Sequence, residues 1–223
     1  MCKFRKFMRK NKNTTMLELF EQKNLANIRK RIKILIVDDE SDEIYNILKE
    51  RQYDVYYKND MSYAIEAEPF EIVVMDIRGV ASRLQSNMEG FSLACEVKHK
   101  YPLKRVCCYS GSVHPEIATQ LADKKIDAFF MKDMEMDKIC EKLDQLILDY
   151  VDSDKQWEII KKQLIDWDTN DEEIRVIKRA YDEGFRSGNI SLLSNTIIDT
   201  LKNGTTMLNI CSAIINLIKV LVV

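Results

Sequence analysis

Short apolar runs alternate with helix-like segments along residues 33–151, and this alternation limits the folds that the chain can adopt. The runs are rich in β-branched residues and lack a polar face, as is typical of strands buried on both sides of a parallel sheet. Strands are predicted at 33–37, 53–57, 71–76, 104–110 and 126–132, and helices at 41–52, 62–69, 90–102, 115–125 and 136–151. Five strands alternating with five helices predict an α/β fold with a parallel sheet covered on both faces.

Polar side chains that can bind ligands occur at the ends of four of these five strands. Asp38 and Asp39 follow the first strand, Asp76 ends the third, Ser110 ends the fourth and Lys132 ends the fifth. The second strand is predicted to contribute no such group. Because ligands bind beyond the carboxyl ends of parallel strands, we expect these five side chains to meet at one edge of the sheet.

The residue types at this edge suit phosphoryl chemistry. Clustered carboxylates repel one another unless a cation neutralises them. Oxygen ligands of this kind suit Mg²⁺, which typically takes one or two carboxylates together with phosphate oxygens. Asp76 is then predicted to act as a nucleophile toward a phosphoryl group, whose other oxygens Lys132 and Ser110 contact. Asp is also common in turns, so the acidic pair alone would be weak support; the combination of four strand ends is what favours the site.

The motifs that carry these residues resemble the receiver domain of two-component response regulators. They are VDDE at 37–40, MDIRG at 75–79, YSGS at 109–112 and FFMKD at 129–133, and the resemblance covers residues 32–150. It implies a flavodoxin-like, doubly wound sheet of five parallel strands. It also implies a signalling switch that catalyses only its own phosphorylation and dephosphorylation, with a histidine kinase or a small phosphodonor as the source of the phosphoryl group.

The resemblance assigns a role to each motif residue. Asp76 would be the phospho-acceptor and Lys132 the phosphate-contacting lysine. Mg²⁺ would be bound by Asp38, Asp39, Asp76 and the backbone carbonyl of Arg78, with Asp39 a more direct ligand than Asp38. Ser110 would be the switch hydroxyl, and Phe129 would be the aromatic residue that couples phosphorylation to a partner surface.

Three features depart from the usual receiver pattern. Asp133 follows Lys132 where receivers usually have a proline with a cis peptide bond; because a cis bond before another residue costs about 2.5–4 kcal/mol, we expect a trans bond and a shifted loop. Residues 78–91 form a longer loop than usual, which is a candidate lid or partner surface. Gly111 follows Ser110 and leaves room for a phosphoryl group.

Composition divides the chain into three parts and indicates a cytoplasmic protein. Residues 1–31 are a basic leader plus a helix, residues 32–151 the receiver domain and residues 152–223 a helical region. Six of the first 12 residues are Lys or Arg, which suggests either a frayed terminus or an arm that contacts acidic surfaces. The six cysteines form no C-x-x-C pair, so reduced core thiols are favoured over disulfides or zinc.

The C-terminal region carries the output, and its chemistry leaves alternatives open. Acids slightly outnumber bases there and no zinc or nucleotide motif occurs, which argues against nucleic acid as a ligand. Helices are predicted at 154–167, 171–185, 190–203 and 205–223, the last with 13 apolar residues among the 17 from Met207. This apolar helix can pack on residues 154–203, associate with a partner or a second copy in a homodimer, or enter a membrane. The favoured function is a switch that binds an unknown protein partner; the alternatives are a membrane-associated effector and a degenerate receiver that serves as an assembly scaffold.

Overall fold

A computed structural model describes residues 25–84, 89–111 and 126–187, together with residues 195–197, 199–200, 212–215 and 218 of the C-terminal segment. The chain divides into two compact units. One unit consists of Leu25–Tyr150, and the described residues from Val151 onward belong to the other.

The first unit is built on a five-stranded parallel sheet with the strand order β2-β1-β3-β4-β5. The strands are β1 (Lys33–Val37), β2 (Asp54–Lys58), β3 (Ile72–Asp76), β4 (Arg105–Ser110) and β5 (Ala128–Met131). All five residues of β3 are buried, as are the last four of β1, which explains the apolar runs at 72–75 and 34–37. Strands β2 and β3 pair with opposite edges of β1. The direction of strand order therefore reverses there, and the topological switch point lies between β1 and β3. This is the predicted flavodoxin-like fold.

Helices flank the sheet of the first unit, and further helices follow in the second unit. They are α1 (Leu25–Arg29), α2 (Glu43–Glu50), α3 (Glu89–Lys100), α4 (Met136–Val151), α5 (Ser153–Asp166) and α6 (Asp171–Ser187), with 3₁₀ turns at Ala64–Ala67 and Ser82–Leu84. The helix predicted at 115–125 lies outside the described residues. Four of the five predicted helices of this unit therefore fall within described segments, and three of them are α-helices.

Two predicted helices of the first unit are shorter than expected. The segment predicted as a helix at 62–69 is a single 3₁₀ turn, because Glu66 turns its carboxylate back to accept hydrogen bonds from the backbone N–H groups of Ser62 (2.9 Å) and Tyr63 (3.0 Å). Helix α2 begins at Glu43, whose N–H donates to Ser41 Oγ (3.1 Å), and it ends before Gln52, whose φ is 66°.

The second unit is helical in its described residues, and two helices contain its aromatic core. Trp157 of α5 lies 5.3 Å from the ring of Tyr181, which lies 4.7 Å from Phe185, both on α6. Asn170 caps α6 by accepting hydrogen bonds from the N–H groups of Glu172 and Glu173 (both 3.0 Å). The two helices therefore pack through the Trp157 side of α5.

Most of the helices predicted at 190–203 and 205–223 lie outside the described residues. The segments of them that the structure describes are helical, and Ile214 and Ile218 are buried. Within the described part of the chain, no helix combines the length and the apolar character needed to cross a membrane.

Candidate functional site

Three carboxylates meet at the switch point between β1 and β3. Asp38 and Asp39 follow β1, and Asp76 is the last residue of β3. Each side chain places a carboxylate oxygen within 4.8 Å of the other two. Asp38 and Asp76 are buried, whereas Asp39 is exposed. The sheet topology thus brings together the acidic residues that the sequence predicts to meet.

Asp38 is held by the loop that it begins. Its Oδ1 accepts hydrogen bonds from the backbone N–H groups of Glu40 (2.9 Å) and Ser41 (3.1 Å), a turn that Asp favours. Its Oδ2 is buried and accepts no well-directed hydrogen bond from the described residues, although Lys132 Nζ lies 3.2 Å away. A buried carboxylate oxygen without a hydrogen-bond donor is a site where a cation is favourable.

Gly79 allows the backbone after β3 to approach Asp39. The φ of Gly79 is 76°, a conformation that costs glycine little. A Cβ atom at this position would lie 2.2 Å from both carboxylate oxygens of Asp39. The glycine of the MDIRG motif is therefore required both by the backbone conformation and by the carboxylate packed against it.

Lys132 is the cation of the site. Its Nζ lies 2.6 Å from Asp76 Oδ2, 3.2 Å from Asp38 Oδ2 and 3.3 Å from Glu40 Oε2. Partial burial opposes its charge, but the hydrogen bond to Asp76 and the charges of Asp76 and Asp38 raise the pKa of Lys132. The lysine is thus fully charged at neutral pH. The backbone has no cis peptide bond among the described residues, so the bond from Lys132 to Asp133 is trans, as expected.

Negative charge at the site exceeds what this lysine neutralises. Loss of hydration, followed by the charges of Asp76, Glu40 and Asp38, raises the pKa of Asp39. Four carboxylates surround one ammonium in this part of the described chain. The excess charge, the close oxygens and the unsatisfied Asp38 Oδ2 fit a divalent cation with hard oxygen ligands.

The remaining predicted residues lie around this cluster. Ser110 is buried at the end of β4, where its carbonyl accepts the N–H of Lys132 (2.9 Å). Phe129 of β5 is partly buried and packs against the core. The N–H of Arg78 donates to Asp76 Oδ1 (3.4 Å). The roles assigned to these three residues remain predictions.

The second strand supports the site through a backbone contact. The Tyr57 hydroxyl donates a 2.5 Å hydrogen bond to the backbone carbonyl of Asp38. The hydroxyl of Tyr57 holds the backbone of Asp38, a contact that no sequence pattern reveals. Glu40 directly follows the acidic pair in the VDDE motif, and the pattern of strand-end residues does not select it as part of the site.

The described part of the long loop after β3 is fixed against the segment that follows β2. Asp60 Oδ1 accepts the N–H of Ala81 (2.6 Å), and Arg83 Nε donates to the carbonyl of Ser62 (3.0 Å). The Arg83 guanidinium also stacks 4.5 Å from the ring centroid of Tyr63. Residues 78–84 therefore pack on the protein surface, and residues 85–88 lie outside the described part of the loop.

Comparison with known proteins gives matches among solved structures alone. No family model matches the chain, and no curated protein matches it. A response regulator receiver domain protein (CheY-like) from Methanospirillum hungatei is 22% identical, with a TM-score of 0.44, over 53% of this chain and 95% of that chain. The receiver domain of NtrX from Brucella abortus is 24% identical, with a TM-score of 0.42, over 51% of this chain and 97% of that one.

Chemotaxis protein CheY4 from Vibrio cholerae is 17% identical, with a TM-score of 0.41, over 52% of this chain and 98% of that chain. These matches leave the C-terminal part of the chain uncovered. Over about half of its length, the chain is similar to the receiver domains of response regulators.

Proposed function

We propose that this protein is a response-regulator-like signalling switch in which Asp76 accepts a phosphoryl group in a Mg²⁺-dependent reaction. The observation that carries the proposal is the contact of Lys132 Nζ with Asp76 Oδ2 at 2.6 Å, beside carboxylates that approach one another within 4.8 Å. This arrangement provides a nucleophile, a fixed cation and excess negative charge that a metal ion neutralises.

Asp38, Asp39, Asp76 and the backbone carbonyl of Arg78 are the groups that would hold Mg²⁺. When bound, the ion would offset the charge of the carboxylates and of the phosphoryl oxygens. Asp38 is fixed by two backbone N–H groups, and Asp39 is exposed toward solvent. The exposed residue can reach an incoming ion first, which agrees with its predicted role as the more direct ligand.

The chain supplies the remaining chemistry through ionised and hydroxyl side chains. A carboxylate oxygen of Asp76 forms a bond to phosphorus while the bond between phosphorus and the donor breaks, leaving a carboxylate from an acyl phosphate or an imidazole from a phosphohistidine. No general base is needed when the nucleophile is a carboxylate. The Lys132 ammonium donates a hydrogen bond to one phosphoryl oxygen, and the Ser110 hydroxyl donates to another.

The output of the switch is proposed to be the helical region 152–223, acting by protein–protein contact. Its described helices pack an aromatic core of Trp157, Tyr181 and Phe185. Phe129 would respond to phosphorylation of Asp76 and change the surface presented to a partner. We propose a histidine kinase or a small phosphodonor as the source of the phosphoryl group, a cytoplasmic location, and either a monomer or a homodimer.

The proposal is tested by mass spectrometry of the intact protein after incubation with acetyl phosphate. The wild-type protein should gain one phosphoryl group with Mg²⁺ and none with EDTA, and Asp76→Asn should gain none. Asp137→Asn is the matched control, because Asp137 is an exposed carboxylate on α4 that pairs with Arg51. Absence of a mass gain in the wild type, or an equal gain in Asp76→Asn, would support the assembly scaffold instead.

The membrane alternative is tested separately by flotation with liposomes. If the apolar segment 205–223 packs on the preceding helices, the full chain should remain with the soluble fraction before and after phosphorylation. Flotation that is lost when residues 205–223 are deleted would show that this segment enters the membrane.

A further inference from the structure

Glu40 reaches across the site although it lies in a different loop from Lys132. Its Oε2 lies 3.3 Å from Lys132 Nζ, and the two residues are 92 positions apart in sequence. The backbone of Glu40 is fixed because its N–H donates to Asp38 Oδ1 (2.9 Å). The Asp38 carboxylate thus fixes the backbone from which the Glu40 side chain extends toward Lys132.

Three carboxylates crowd the ammonium of Lys132. An ammonium has three N–H donors, and Lys132 Nζ lies within 3.3 Å of Asp76, Asp38 and Glu40. A phosphoryl oxygen that binds this ammonium therefore competes with these carboxylates for its N–H groups.

Exposure determines which carboxylate is displaced most easily. Asp38 is fully buried and is fixed by backbone N–H groups, and Asp76 is the group that receives the phosphoryl group. The Glu40 side chain is 74% exposed, so water can replace its contact with the lysine. Exposed ion pairs contribute little stability, and Glu40 is the contact that exchanges at the lowest cost.

We propose that Glu40 pairs with Lys132 while the site holds no phosphoryl group and is displaced when a phosphoryl oxygen binds the lysine. This inference rests on the proposed function. Glu40 competes with the phosphodonor for Lys132, and its negative charge repels the phosphoryl oxygens. It therefore sets how readily the site accepts a phosphoryl group without contacting the reacting atoms itself.

The test compares Glu40→Gln with Glu43→Gln in the full chain. Glu43 is an exposed glutamate in the first turn of α2, so the control makes the same change of charge three residues away. The rate of phosphorylation by acetyl phosphate is measured by intact mass as a function of donor concentration. Glu40→Gln should lower the half-saturating donor concentration about 3- to 10-fold at low ionic strength, and Glu43→Gln should change it less than about twofold.

Two further measurements separate the competition of Glu40 for Lys132 from other roles of Glu40. The effect of Glu40→Gln should shrink toward that of Glu43→Gln in about 1 M KCl, because salt screens charges at an exposed site. Mg²⁺ affinity measured by calorimetry without a phosphodonor should be similar in the two variants. A loss of about tenfold in Mg²⁺ affinity confined to Glu40→Gln would identify Glu40 as a metal ligand and overturn the inference.

The remaining outcomes distinguish the inference from the proposed function. Phosphorylation of the wild type with equal donor dependence in both variants would overturn the inference and leave the proposed function standing. A wild-type protein that acetyl phosphate does not modify in the presence of Mg²⁺ would overturn both.

Discussion

The two ends of the same parallel sheet carry charged clusters that differ in how completely the chain neutralises them. At the carboxyl end of the strands, Lys132 faces the carboxylates Asp38, Asp39, Glu40 and Asp76. At the amino end, the cations Lys98, Lys104 and Arg105 lie with the carboxylates Glu71 and Asp127. The comparison separates charge that the chain pairs internally from charge that it leaves in excess, and the excess charge is available for a ligand.

Lys98 and Asp127 form the central pair of the amino end. Lys98 Nζ lies 2.8 and 3.0 Å from the two oxygens of Asp127 and donates to the carbonyl of Lys104 (2.7 Å). Asp127 Oδ2 also accepts the N–H of Val106 (2.8 Å), and Arg105 Nη1 lies 3.5 Å from its Oδ1. These contacts join α3 to the beginnings of β4 and β5.

Lys104 occupies an unusual position beside this pair. Its Nζ donates to the backbone carbonyls of Glu68 (2.8 Å) and Phe70, which lie in the segment just before β3. Burial lowers the pKa of Lys104 to about 8, although the charges of Glu71 and Glu68 oppose the shift. Burial likewise raises the pKa of Glu71, whose carboxylate accepts the N–H of Lys33 (2.7 Å).

Breaking the Lys98–Asp127 pair should have the largest effect. Lys98→Met leaves Asp127 in a mostly buried position without its closest cation, and removal of one partner of such a pair typically costs about 3–5 kcal/mol. The change in unfolding free energy is measured by hydrogen exchange of the β4 and β5 amides in the full chain. Lys142→Met, at an exposed position of α4, is the control and should change the stability by less than about 0.5 kcal/mol. A loss below about 1 kcal/mol in Lys98→Met would mean that the amino end is not held by this pair.

Loss of the proton from buried Lys104 should make the first unit more stable as the pH rises. The pKa of Lys104 is about 8 in the folded protein and 10.5 for an ordinary lysine. Because the folded-state pKa is depressed, the associated stability is fully present above pH 10.5 and is lost as the pH falls through 8. The gain between these limits is roughly 3 kcal/mol for a shift of this size.

The matched variant for this pH dependence is Lys104→Met. Hydrogen exchange of β3 amides, corrected for the intrinsic exchange rate, should show the stability of wild type rising relative to that of Lys104→Met between pH 7 and pH 10. The pKa of Lys98 is also lowered by burial, but its contribution is common to both proteins and cancels in the difference. A constant difference across this range would show that Lys104 titrates as an exposed lysine.

The carboxyl end was predictable from sequence because each of its residues directly follows a recognisable strand. The apolar runs at 34–37 and 72–75 leave little doubt about where β1 and β3 end, so Asp38, Asp39 and Asp76 are brought together by topology alone. The geometry of Lys132 could not be predicted, since its distances depend on how one loop turns after β5. The same limit applies to the helix predicted at 62–69, where a single side chain, that of Glu66, satisfies the backbone of a tighter turn.

The amino end could not be predicted for a different physical reason. Lys98 and Asp127 lie 29 positions apart, and each stands among other charged residues that would ordinarily be solvated. Sequence patterns show where apolar faces are buried, but they do not show which charged side chains are enclosed with a partner. Tyr57 illustrates the same point at the other end, because its hydroxyl contacts a backbone carbonyl rather than a charged side chain.

The smallest effect is expected when one carboxylate of the unbalanced end is neutralised. Asp39→Asn removes a charge whose neighbours are Asp76, Glu40 and Asp38, so the protein without metal should become more stable. Solvent screens the exposed carboxylate, and the gain should not exceed about 1 kcal/mol.

Hydrogen exchange of the β1 and β3 amides in EDTA measures this gain, and calorimetry measures the accompanying loss of Mg²⁺ affinity. Asp38→Asn is the informative comparison, because Asp38 is buried and accepts two backbone N–H groups, so its replacement should lower stability instead. If Asp39 is the more direct metal ligand, Asp39→Asn should also lose more Mg²⁺ affinity than Asp38→Asn. Equal losses of affinity would count against Asp39 as the more direct ligand. A lower stability of Asp39→Asn in EDTA would mean that the charge at this end of the sheet is not in excess.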